Sequence, residues 1–167
     1  MKKGAGAVEY LAEETEDAYG LLSRLLDLSA LPRMERRPGG KPWFPDRPEL
    51  CFNVSHSGGL ALCAVSDGPV GADVELVRPR RAGLPRYVLS EEEHRWYLAQ
   101  GGGWPRFYTL WTLKEARVKC TGEGLVRPAR TIAVPLLAPG ETGALDGLVF
   151  TALAGETWRG AVCTKAR

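Results

Sequence analysis

No apolar run in the chain approaches the length of a membrane span, and Lys2 and Lys3 are followed by no hydrophobic core of a signal peptide, so the expectation is a cytoplasmic protein. Cysteine is sparse. Cys51, Cys63, Cys120 and Cys163 lack any C-x-x-C spacing and three of them lie in apolar strand-like runs, which argues against zinc ligation or disulfides and predicts buried free thiols. Charge of one sign is lacking as well: 22 Lys and Arg against 20 Asp and Glu leave a formal net charge of +2, too little to point to nucleic acid. What is there, 44% hydrophobic and 25% charged residues in 167, has the profile of one soluble globular domain over residues 1–167.

Along the chain, Val8 to Leu28 is predicted as one amphipathic helix, with Leu11, Ala18, Leu22 and Leu25 near a helical repeat and acid concentrated in its first half. Pro32 to Pro48, centred on Gly39-Gly40-Lys41-Pro42, has loop composition. A short strand at Cys51 to Val54 leads into a turn, Ser55-His56-Ser57-Gly58-Gly59. Leu60 to Ser66 and Val70 to Leu76, separated by Asp67-Gly68-Pro69, read as a hairpin. On its return strand Asp73 and Glu75 share a face, about 7 Å apart. A basic loop runs from Val77 to Arg86, and Ser90 with Glu93 forms a capping box that opens a short helix through Leu98. Three glycines end it. Pro105 suits the first turn of the next helix and Gly122 its C-terminal cap. On that helix Phe107, Trp111, Lys114 and Val118 make one apolar stripe, with Glu115 and Lys119 one turn apart on its flank. Strands are expected at Thr131 to Leu137, Gly147 to Leu153 and Trp158 to Thr164. A helix followed by three strands thus occurs twice. The expected class is α+β, with two pseudo-twofold halves of about 7–82 and 83–167, each a helix on a small, mostly antiparallel sheet, facing across a cleft.

If the strand of Asp73 and Glu75 meets the helix of Glu115 at that cleft, three carboxylates converge with no Cys or His nearby in sequence, a donor set suited to Mg²⁺. Magnesium retains waters and takes phosphate oxygens, so a pyrophosphate or nucleotide is the matching substrate class. Lys114 and Lys119 supply cations, and the Ser55 to Gly59 turn supplies hydroxyls and backbone N–H groups.

These residues resemble the Sfp-type 4′-phosphopantetheinyl transferases, which move the phosphopantetheine arm of coenzyme A onto a serine of a carrier protein. The resemblance runs through Gly40-Lys41-Pro42, F-N-V-S-H-S-G at Phe52, V-G-A-D-V-E at Val70, L-W-T-L-K-E-A-R-V-K at Leu110 and the A-V-C strand at Ala161. It implies that Asp73, Glu75 and Glu115 bind magnesium, and that Glu115 also takes the proton of the carrier serine. By the same resemblance Lys119 stabilises the transferring phosphate and the departing 3′,5′-ADP, and Lys114 contacts the pyrophosphate. Ser55 and His56 would touch the 3′-phosphate side, and Lys41 and Pro42 line the adenine end. The implied partners are coenzyme A and an acyl or peptidyl carrier protein, with no nucleic acid and no membrane, and a monomer is favoured. Relative to the family, the start lacks an initial strand with its basic residues, for which Arg24, Arg33, Arg36 or Arg37 would have to substitute. That abbreviation motivates the alternative, a non-catalytic module of the same fold that binds coenzyme A or a carrier. The basic loop, with Arg78, Arg80, Arg81 and Arg86, is the expected dock for an acidic carrier.

Overall fold

A computed structural model describes residues 8–124 and 126–166, so Lys2 and Lys3 lie outside the described residues. In chain order the elements are β1 (Glu9–Glu14), α1 (Ala18–Leu25), β2 (Glu35–Arg36), β3 (Pro42–Trp43), β4 (Cys51–Ser57), β5 (Leu60–Ser66), β6 (Val70–Leu76), α2 (Leu84–Val88), α3 (Glu91–Ala99), α4 (Trp104–Thr121), β7 (Thr142–Leu145), β8 (Leu148–Ala154) and β9 (Trp158–Lys165). The α+β class holds. One antiparallel sheet has the order β1-β5-β4 and another β6-β9-β8-β7, with β2 and β3 forming a separate short ribbon.

Each sheet carries a helix on its outer face, the short α1 on the first and the long α4 on the second. Leu21 and Leu22 of α1 pack with Phe52, Ala61 and Cys63, while Phe107, Leu110 and Leu113 of α4 pack with Phe150, Ala152 and Ala161. Between the sheets lies a third apolar cluster, in which Leu60, Leu62 and Ala64 of β5 meet Val70, Ala72 and Val74 of β6 and Val162 of β9. Burial of Cys63, Cys120 and Cys163, with Cys51 half-buried and all four thiols free, agrees with the sequence reading. No helix of the described residues is long and apolar enough to cross a membrane.

Several sequence expectations change. The single helix at Val8 to Leu28 is instead a strand and a helix, because β5 is apolar on both faces and central to its sheet, and β1 pairs along its free edge from Glu9↔Val65 to Glu14↔Leu60. Asp17 then restarts the chain as a helix by accepting the Gly20 N–H at 2.8 Å. The initial strand that the sequence reading omitted is therefore present.

The expected hairpin of Leu60–Ser66 with Val70–Leu76 does not form. Gly58 and Gly59 have φ of 52° and 81°, as a tight two-residue hairpin requires, so the turn joins β4 to β5, and Ser55 to Ser57 belong to β4. Gly68 has no such φ, and β6 crosses to the other sheet to pair with β9. The sheets accordingly divide before Val70, not near residue 82. The end of the stretch read as loop, Leu84 to Arg86, instead belongs to the short α2.

Finally, Thr131 to Leu137 joins no ladder: after a 3₁₀ turn at Ala129–Thr131 its carbonyls at Ile132 and Ala133 accept from the side chains of Lys114 and Arg117, Pro135 has no N–H to give, and β7 takes the sheet edge.

Candidate functional site

β6 is an edge strand of its sheet, and its outward N–H groups need acceptors. They receive them from side chains of β4. Asn53 Oδ1 accepts from the Ala72 N–H at 2.7 Å, Ser55 Oγ from Val74 at 3.2 Å and Ser57 Oγ from Leu76 at 3.4 Å. Period-two alternation on both strands places these contacts at matching steps. The same serines donate to acids on β6: Ser55 to Asp73 Oδ1 at 3.2 Å and Ser57 to Glu75 Oε2 at 3.0 Å.

On the other face of β6 lies α4. A Cβ at Gly71 would stand 2.0 Å from the Ala116 carbonyl oxygen and 2.4 Å from the Cys120 nitrogen, so glycine is what lets the helix backbone settle on the strand. This approach brings Glu115 and Lys119 over Asp73. Lys119 Nζ lies 2.7 Å from Asp73 Oδ1 and 3.3 Å from Ser55 Oγ. Asp73 is buried, and desolvation, resisted by Lys119 and aided by the charges of Glu115 and Glu75, pushes its carboxyl up to about 7. Burial also raises Glu115, with Lys119 opposing and Glu75 reinforcing.

The charges of Asp73, Glu75 and Glu115 act on one another, which places the three expected carboxylates in one neighbourhood. Among the described residues, however, no three His, Cys, Asp or Glu side chains form a ready-made metal cluster. Two oxygens, Asp73 Oδ2 and Glu115 Oε1, are buried without a hydrogen-bond partner among the described residues. Hard, anionic and unpaired, they are donors of the kind that suits a small divalent cation.

Lys114 is not in this group. It is fully buried, and its ammonium gives three hydrogen bonds: to Glu93 at 2.8 Å, to the Ala129 carbonyl at 3.0 Å and to the Ile132 carbonyl at 2.6 Å. An ammonium has three protons, so none remains for a phosphate. Burial lowers its pKa and Glu93 raises it again. Glu93 meanwhile completes the capping box with Ser90, so one carboxylate ties α3, α4 and the 129–132 segment together.

His56 is exposed and, by alternation along β4, sits on the face opposite Ser55, away from Asp73. Lys41 and Pro42 line a cavity of about 310 Å³ with Arg37, Trp43, Phe44 and Phe52 among its walls. Lys41 Nζ is anchored to the carbonyls of Val70 at 2.7 Å and Lys119 at 2.9 Å, and burial lowers its pKa. The cavity thus opens at the foot of β6, three residues, or roughly 10 Å of strand, from Asp73. Of the four arginines considered as substitutes, Arg24 pairs with Glu13, Arg33 with Glu35 and Asp46, and Arg36 bonds the Gly40 carbonyl. Arg37 lies 4.3 Å over the Trp43 ring, at the cavity. Sequence reasoning missed Trp43 and Asn53, although Asn53 stands two residues before Ser55 as Ser57 stands two after it; Ser57 was read as a turn hydroxyl, not as the β4 partner of Glu75.

A family model described as the 4′-phosphopantetheinyl transferase superfamily matches residues 69–158. The chain is 34% identical over 111 residues to 4′-phosphopantetheinyl transferase Sfp of Bacillus subtilis (strain 168), covering 65% of this chain and 50% of that protein. It is 42% identical over 107 residues to 4′-phosphopantetheinyl transferase AcpT of Salmonella typhi, covering 61% and 55%, and 37% identical over 93 residues to 4′-phosphopantetheinyl transferase psf-1 of Bacillus pumilus, covering 54% and 40%. The chain spans about half the length of these curated relatives or less.

Proposed function

Because the chain belongs to the 4′-phosphopantetheinyl transferase superfamily, we propose that it transfers the 4′-phosphopantetheine group of coenzyme A to a serine of an acyl or peptidyl carrier protein and releases 3′,5′-ADP. The observation that carries this reading is the pair of buried, unpartnered carboxylate oxygens, Asp73 Oδ2 and Glu115 Oε1, beside the Lys119 ammonium. Asp73, Glu75 and Glu115 would hold Mg²⁺, which when bound supplies positive charge against the pyrophosphate.

The remaining steps fall to the chain's own groups. Glu115, its proton affinity raised by burial, accepts the proton of the carrier serine as the serine oxygen bonds to the pantetheine-side phosphorus. The phosphorus–oxygen bond to 3′,5′-ADP breaks, and the departing oxygen takes charge that Lys119 neutralises and protonates. Lys119 gives two hydrogen bonds in this structure, which leaves one proton to direct at a phosphate oxygen. Ser55 and Ser57 fix the rotamers of Asp73 and Glu75 rather than gripping phosphate. The cavity walled by Lys41, Pro42 and Trp43 takes the adenine end, with the aromatic ring and Arg37 offering a stacking surface.

The test is mass spectrometry of an apo carrier protein incubated with the chain, coenzyme A and Mg²⁺. The carrier should gain the phosphopantetheine mass, and chelation of the metal should abolish the gain. Folded protein that modifies no carrier under these conditions refutes the reading. Glu115→Gln should lower turnover by at least about 100-fold with coenzyme A binding retained.

A further inference from the structure

Beyond β6, on the same outer face of the second sheet, the α4 and β9 elements frame a second cavity of about 200 Å³. Its walls include Trp96, Gln100, Arg106, Thr109, Pro139 and Arg159. Arg159 lies opposite Glu75 in the β6–β9 register, where cross-strand partners normally pair. It does not reach that acid. Its Nη1 is held instead by the carbonyls of Gly155 at 2.9 Å and Trp158 at 2.7 Å, while Glu75 is held by Ser57. Arg159 Nε is buried and has no hydrogen-bond partner among the described residues. Arg106, in the first turn of α4, gives only a long 3.3 Å bond to the Gly102 carbonyl.

Two guanidinium groups therefore line one cavity with no counter-charge paired to them among the described residues. Burial and then the neighbouring charge of Arg106 act on Arg159, both against the cation, and no carboxylate figures among the influences on it. Like charges held together beside an open space, with an orphaned donor between protein walls, are completed most simply by an anion that both can grip. The remaining lining is apolar or neutral, with Trp96, Pro105, Ala138 and Pro139 beside Gln100 and Thr109. It excludes a cation and gives no reason for a large polar ligand.

We propose that this cavity is an oxyanion site, in which Arg106 and Arg159 together bind a carboxylate or a phosphate group alongside Trp96. It is separate from the Asp73, Glu115 and Lys119 cluster and does not depend on the transfer chemistry.

The experiment is a titration of the ¹⁵N-labelled chain with sodium acetate and, separately, with inorganic phosphate, at constant ionic strength maintained with chloride. The readout is the Trp96 indole N–H, assigned by Trp96→Phe, which reports this cavity and not the Lys119 site. Saturable shifts are expected with at least one of the two anions. Saturation by acetate alone assigns the site to carboxylates, by phosphate alone to phosphoryl groups, and by both to oxyanions generally. Arg106→Met with Arg159→Met should weaken the binding at least about tenfold. Because Arg159 is partly buried, Arg106→Gln, at an exposed position, serves as the second variant and should weaken it measurably with the spectrum otherwise unchanged. Linear, non-saturating shifts with both anions, or saturation that Arg106→Gln leaves unaltered, overturn the proposal.

Discussion

Lys114 and Lys119 sit five residues apart on one helix and do opposite work. Lys119 keeps a proton free beside an acid, whereas Lys114 spends all three on Glu93 and two carbonyls. Removing one partner of a buried pair leaves the other charge without compensation, so Lys114→Met should destabilise the fold by about 3–5 kcal/mol in chemical denaturation. The coenzyme A KM of the molecules that remain folded should not change; a raised KM would return Lys114 to the phosphates. The helical stripe places Lys114 among core residues, whereas the family resemblance assigns it to the pyrophosphate. Periodicity reports where a side chain points. It cannot report the acceptors waiting there, which come from residues 93, 129 and 132.

Asp73 sets a pH dependence. Burial pushes its carboxyl up to about 7 in the folded chain, against 3.8 for the same group in water. Between those values the folded chain holds a proton the unfolded chain has lost. The group's stabilising contribution is complete below 3.8 and disappears as pH rises through 7. The melting temperature of metal-free protein should therefore fall from about pH 5 to about pH 8 more steeply than that of Asp73→Asn. Identical slopes in the two proteins would contradict the burial argument.

At the scale of elements, the contact of α4 with β6 depends on Gly71. The atoms that a Cβ would strike are helix backbone, which cannot rotate aside. Gly71→Ala should cost about 1–3 kcal/mol and, by lifting α4, separate Glu115 and Lys119 from Asp73. Any stabilisation of the melting temperature by Mg²⁺ should vanish with it. Asn53→Ala, which leaves the Ala72 N–H without its acceptor, should cost about 1–3 kcal/mol with the helix in place. Elements set by local chemistry were legible: the Ser90 and Glu93 capping box, the glycines before α4, and the left-handed Gly122 after it at φ 74°. The strand at Glu9–Glu14 was not, since its partner lies some fifty residues on and its own residues do not alternate. The choice of β4 over β6 as partner for β5 was similarly hidden, decided by which glycines take a positive φ.

For the whole molecule, Asp73 and Glu75 of β6 meet Glu115 and Lys119 of α4 because one strand belongs to the second sheet while resting on side chains of the first. Asp73, Glu75, Glu115 and Lys119 were readable in the sequence; that the acids would also be anchored from β4 was not. Arg78, Arg80, Arg81 and Arg86 are all exposed between the sheets' elements, next to Tyr87, which is 76% exposed. If this loop receives an acidic carrier, Arg80→Glu with Arg81→Glu should raise the apparent KM for carrier several-fold and leave coenzyme A affinity unchanged. Unchanged values for both would move the dock elsewhere.

The three side chains that β4 lends to β6 also protect the protein from itself. An outer strand with open amide groups is a template on which a second chain can add its own strand, and this one is apolar along one face. Asn53, Ser55 and Ser57 occupy those positions in advance, so a variant stripped of all three should lose more than internal order: it should polymerise slowly through that border on storage, a change visible as light scattering before any loss of helix.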